Sequence, residues 1–131
     1  MTTSSIRSAL DREENRIKDD ILRMGSMVES AIDNAIAALK QRDGALAQQV
    51  IEDDKQINQL RYKIEEECLM VIATQQPAAH DLRSIVAATH IAVELERMGD
   101  HAEGIASITL QAARQKKATK CQSWQWNLAC H

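Results

Sequence analysis

Apolar residues recur along this chain at alternating intervals of three and four, the repeat that lays a single stripe along an α-helix. In the first segment the stripe is Ile17, Ile21, Met24, Val28, Ala31, Ala35 and Ala38, widened by Ile32, Ile36 and Leu39. In the second it is Leu46, Val50, Ile57, Leu60, Ile64 and Val71, and in the third Leu82, Ile85, Val86, Thr89, Ala92 and Val93. Heptad-like stripes on three successive segments need one another as cover. They predict an all-α fold: an antiparallel three-helix bundle of long helices over residues 5–41, 44–75 and 77–117.

The few punctuating residues agree with these limits. Ser4 or Ser5 supplies a hydroxyl to cap the first helix. In the turn Gln41-Arg42-Asp43-Gly44, Asp43 is expected to cap the second helix and Gly44 to relieve the backbone at the reversal. Gln76-Pro77 ends the second helix, because a residue before proline avoids the α region, and Pro77 fits the first turn of the third. Asp81 then falls at the positive end of that helix. Beyond Lys117 the stripe is lost. Residues 118–131 hold Trp124, Trp126, Cys121 and Cys130 and are expected to form an atypical tail, mobile or loosely docked, outside a bundle of residues 1–117.

With 131 residues, 44% of them hydrophobic and 27% charged, the chain has the material for one domain with a buried core. A net charge of −3 offers no electrostatic footprint for nucleic acid. No apolar run is long enough for direct membrane insertion, and Met-Thr-Thr-Ser-Ser-Ile-Arg lacks the apolar centre of a signal peptide, so a cytoplasmic location is expected. Cys68, Cys121 and Cys130 have no framework spacing and read as reduced thiols. No nucleophile–base pair, phosphate-cradling glycine loop or zinc-protease motif is present, which argues against an enzyme.

Candidate chemistry concentrates between Val93 and Ala106. On a helix Glu96 and Asp100 stack one turn apart, with Gly104 a further turn along. Two like charges so placed face water, an arginine or a hard cation. A metal face and a solvated acidic face, with Arg97 pairing to Glu94, both fit this spacing. Glu103, three residues after Asp100, is a further potential ligand. His80, His90 and His101 lack metal-binding spacing, although His101 adjoins Asp100. Acidic runs at residues 52–54 and 65–67 read mostly as solvated, while Asp53 and Glu67 stand seven residues either side of Leu60 and are at an edge or paired with a cation. Arg83 and Arg97 read as salt-bridge partners of bundle acids or as docking residues for a protein partner.

Two stretches resemble a known signature. Gln76-Pro77-Ala78-Ala79-His80-Asp81-Leu82-Arg83-Ser84-Ile85, followed by Glu94-Leu95-Glu96-Arg97-Met98-Gly99-Asp100-His101-Ala102, look like the signature of the PhoU family, accessory and regulatory proteins of bacterial high-affinity phosphate uptake. The resemblance runs from about Ile6 to Lys117 and centres on Glu-Arg-x-Gly-Asp-x-Ala behind Pro-x-x-x-Asp-Leu-Arg. It implies metal binding by a Glu-x-x-x-Asp-x-x-x-Asn/Asp repeat, of which Glu96 and Asp100 match two positions and Gly104 stands at the third. The implied cofactor is a divalent or trivalent metal ion: iron, zinc, manganese or magnesium. The implied role is negative modulation of the phosphate transporter and of the phosphate-starvation response, through contacts with the transporter ATPase subunit and a membrane sensor histidine kinase. The alternative is a metal-free helical dimerisation module. Family members usually carry two three-helix units, so a homodimer is expected here, closing over a stripe that includes Ala31, Ala35 and Ala38.

Overall fold

The computed structural model describes residues 3–129, with side chains through residue 115. Three helices follow one another: α1 (Thr3–Gln41), α2 (Gly44–Gln75) and α3 (Ala79–Ala129). Each packs on the other two, in an up-down-up bundle without strands among the described residues. At 1.5 Å per residue α1 is about 58 Å long and α2 about 48 Å, so the two run side by side over nearly their whole lengths. Among the described residues no helix is long and apolar enough to cross a membrane.

The turns are held by local hydrogen bonds. Asp43 caps α2, its Oδ1 accepting from the Leu46 N–H at 3.1 Å, while its own N–H reaches back to the Ala38 carbonyl at 3.0 Å. The reversal itself is made by Arg42, which takes the left-handed conformation (φ 54°). Gly44, expected to relieve the backbone here, has no such conformation and begins α2. Gln76 ends α2 with φ 43° and donates its N–H to the Ile72 carbonyl at 3.3 Å. Pro77 lies just ahead of α3 rather than inside its first turn, since the first intrahelical bond runs from the Leu82 N–H to the Ala78 carbonyl.

The core joins Leu10, Ile17, Met24 and Val28 of α1 to Val50, Ile57, Leu60, Ile64 and Val71 of α2. On α3 the expected face is rotated. Leu82 and Val86 stay exposed and Thr89 and Val93 half-buried, whereas Ile85, Ala88, Ala92, Ala102 and Ala106 are buried. Small residues bring α3 close to its neighbours, and alanine carries too little hydrophobic weight to stand out in the sequence pattern. Ala31, Ala35 and Ala38 are likewise buried inside the bundle, so they are not a surface on which a second copy could dock. Ile36 and Leu39, expected to widen the stripe of α1, are exposed.

α3 is unbroken past Lys117, because no glycine or proline follows Gly104. The docking of the tail and the state of Cys121 and Cys130 fall outside the described side chains. Cys68 is a buried free thiol whose pKa burial pushes up to about 11. Two buried acids tie the helices together. Asp81 accepts from Arg7 Nη1 at 2.7 Å, pinning the start of α1 to the start of α3. Asp20 accepts from Lys63 Nζ at 3.1 Å, and the same ammonium lies 3.5 Å from Glu67 Oε1.

Candidate metal centre

Because α2 and α3 are antiparallel, advancing along one means retreating along the other. Asp54 of α2 therefore meets Asp100 and Glu103 of α3, and Arg61, two turns after Asp54, meets Glu96, one turn before Asp100. One oxygen from each of Asp54, Asp100 and Glu103 lies within 4.8 Å of the others. Asp100 is exposed, Glu103 half-buried, and Asp54 only 7% exposed, so the group opens to solvent on the α3 side and is floored by α2.

Asp54 is the member that calls for explanation. Its Oδ2 accepts a long 3.4 Å hydrogen bond from Asn58 Nδ2, one turn along, and its Oδ1 is buried with no partner. Burial pushes its pKa up to about 6, and the negative charges of Asp100, Glu103 and Glu96 add to the shift. A buried carboxylate with an idle oxygen, facing two more carboxylates, is destabilising by itself and is relieved by a proton, which the hydrogen bond to Glu103 favours, or by a cation. The residues thus fit a metal ion. Their donors are all oxygen, suited to manganese, magnesium or iron rather than to a nitrogen- and sulfur-seeking ion.

Gly99 lets this happen. A Cβ at this position would stand 3.3 Å from Asp54 Oδ1 and 3.4 Å from Ile57 Cδ1, so the glycine before Asp100 lets α2 bring its carboxylate against α3. Gly104 has a different environment: a Cβ there would meet nothing within 4 Å.

Of the residues expected from sequence to bind metal, Asp100 and Glu103 stand in the cluster. Glu96 is close, but its Oε2 lies 3.4 Å from Arg61 Nη1. Arg97 reaches Glu94 at 3.2 Å on the exposed face, Arg83 is exposed, and His101 is exposed and outside the cluster. Asp53 and Asn34 line an open groove of about 230 Å³ between α1 and α2, apart from the cluster. Sequence reasoning missed Asp54 and Arg61. The signal for Asp54 was a gap: it lies four residues after Val50 and three before Ile57, in the one core position of that stripe left without an apolar residue.

An all-helical bundle with a carboxylate cluster between its second and third helices defines a helical module with a candidate metal centre. The comparisons with known proteins narrow this. Residues 21–109 match the PhoU domain, and the chain belongs to the PhoU family, a family of non-enzymatic accessory proteins. It is 38% identical over 118 residues to the phosphate-specific transport system accessory protein PhoU homolog of Pseudomonas putida, covering 90% of this chain and 46% of that protein. It is 37% identical over 111 residues to the phosphate-specific transport system accessory protein PhoU of Escherichia coli, covering 85% of this chain and 46% of that one. The crystal structure of PhoU from Pseudomonas aeruginosa superposes with a TM-score of 0.77 at 40% identity, over 80% of this chain and 50% of that one. The chain spans about half the length of the relatives it matches.

Proposed function

We propose that this chain is a metal-binding regulatory module of phosphate uptake. In this reading it works in the cytoplasm, restraining the phosphate transporter and the phosphate-starvation response by contacting the transporter ATPase subunit and a membrane sensor histidine kinase. Asp54, Asp100 and Glu103 hold a divalent or trivalent cation, with Glu96 beside them. The observation that carries the metal site is the buried, unpartnered Oδ1 of Asp54 turned toward two further carboxylates. The names of the relatives support the link to phosphate transport. The cation gives the buried carboxylates a partner and ties α2 to α3, so metal occupancy sets how firmly the surface offered to a partner is held.

The experiment is a cross-linked pull-down from phosphate-replete and phosphate-starved cells, with wild type and the double variant Asp54→Asn, Asp100→Asn, alongside metal analysis of both. Wild type is expected to retain metal and to capture the transporter ATPase in a phosphate-dependent manner, and the variant to lose the metal. Absence of the transporter under both conditions would remove the regulatory reading. Equal metal in the two proteins would remove the site.

The module also pairs with a second copy of itself. Tyr62, Leu69 and Met70 are exposed on the outer side of α2, and two-fold pairing buries such side chains twice. Light scattering at micromolar concentration is expected to give a dimer that Leu69→Glu dissociates. A wild-type monomer would refute this.

A further inference from the structure

Among the described residues, Arg61 is the cation that stands at the edge of the carboxylate cluster, paired with the neighbouring Glu96. It lies 3.4 Å from Glu96 through Nη1 and 3.3 Å from Glu65 through Nη2, and its guanidinium stands 5.0 Å above the ring centroid of Tyr62. Glu96 is one turn from Asp100 on the same helix face, is largely buried, and is near enough for its charge to bear on Asp54. It is therefore within reach of two positive charges, Arg61 and a cation at Asp54, Asp100 and Glu103, and its single carboxylate cannot serve both fully. The exchange does not strand Arg61. With Glu96 gone the guanidinium keeps Glu65 and the face of Tyr62, so neither partner is left as an uncompensated charge.

We propose that Arg61 controls entry of Glu96 into the ligand set: it holds this carboxylate aside in the metal-free protein, and a divalent cation must draw Glu96 away from it to complete an oxygen shell. This rests on the metal reading above. Three carboxylates from Asp54, Asp100 and Glu103 are few oxygens for a hard cation that takes six or more, so a fourth acid at the rim is a gain the ion can use. Arg61 sets the threshold in two ways, by engaging Glu96 and by adding a positive charge near the ion. Arg61 does not touch the metal: it is a positioning residue for Glu96, and its charge also opposes the ion.

The test is a titration with Mn²⁺ followed by loss of the free-ion electron paramagnetic resonance signal, on wild type, Arg61→Gln, Arg61→Lys and the double variant Arg61→Gln, Glu96→Gln. Circular dichroism checks that each is folded. Removing a unit charge near a divalent ion at the protein surface is expected to make Arg61→Gln bind roughly tenfold more tightly than wild type. Arg61→Lys keeps the charge and is expected to stay within about threefold of wild type, while the added Glu96→Gln cancels the gain of Arg61→Gln. Binding by wild type with Arg61→Gln unchanged or weaker overturns the role of Arg61 and leaves the metal site standing. A gain that survives Glu96→Gln, or is shared by Arg61→Lys, overturns the recruitment of Glu96. No Mn²⁺ binding by any of the four removes the metal reading and this inference with it.

Discussion

Gly99 shows how one missing methyl group sets the chemistry of its neighbours. In mid-helix a glycine costs roughly 0.5–1 kcal/mol relative to alanine, so Gly99→Ala recovers helix stability. Against that gain stands a Cβ 3.3 Å from Asp54 Oδ1, tight enough that the carboxylate has to give way. The two terms are similar in size, and thermal unfolding of Gly99→Ala is expected to stay close to wild type while its affinity for Mn²⁺ falls roughly tenfold or more, as for other losses of support around a metal. A large loss of stability would mean that Gly99 serves packing and not the site. Glu67 offers a test by pH. Burial first, then the adjacent Asp20 carboxylate, raise its pKa, and Lys63 opposes the shift. The native state therefore binds a proton more tightly than the unfolded one, and stability falls as pH rises from the ordinary glutamate range, about 4.3, through the raised value of Glu67. Lys63, whose pKa is also raised, stays charged throughout that window. Glu67→Gln is expected to flatten the slope in urea unfolding measured from acid to neutral pH, and an unchanged slope would assign it to other acids.

At the scale of helices, the three-and-four spacing fixes the number of elements and their limits to within a few residues, because long amphipathic stripes and one proline leave few alternatives; the exception is the end of α3, expected at Lys117 and found at Ala129. What it does not show is which side of α3 faces inward. Leu82 and Val86 dominate the pattern by hydrophobicity, yet the bundle buries Ala88, Ala92, Ala102 and Ala106, whose value is that they let helices approach. The site was half legible for the same reason. Asp100 and Glu103 stand out on one helix, but Asp54 gains its meaning only from the antiparallel pairing of α2 with α3, and Arg61 from its opposition to Glu96. The turn between α1 and α2 gave a plausible but misplaced assignment: glycine was available at position 44, yet Arg42 carries the left-handed backbone. That conformation costs a non-glycine residue about 1 kcal/mol, so Arg42→Gly is expected to stabilise the bundle by roughly 0.5–1 kcal/mol in denaturant unfolding, with no change in metal affinity. Destabilisation would mean that the Arg42 side chain makes a contact worth more than the strain.

The whole molecule is a bundle with a closing contact at each end. At one end Arg7 bonds to the buried Asp81, joining the start of α1 to the start of α3. At the other, Gly44 packs at the level of Leu110 and Ala113, with a built Cβ 3.6 Å from the first and 3.8 Å from the second, so the α1–α2 turn rests on α3 there. The carboxylate cluster lies between these closures. α3 continues beyond the second to Ala129, past the turn where α1 ends and α2 begins. If residues 1–117 are the unit that folds, as the loss of the stripe beyond Lys117 suggests, the contacts that hold the bundle lie on the near side of that boundary. Ending the chain at Lys117 is then expected to leave cooperative thermal unfolding, helical content per remaining residue and Mn²⁺ affinity close to those of the full chain, since a bundle's stability comes from its packed faces and not from an extended helix end. A midpoint lowered by ten degrees or more, about 2–3 kcal/mol for a domain of this size, would show that residues 118–131 dock on the bundle and belong to its fold.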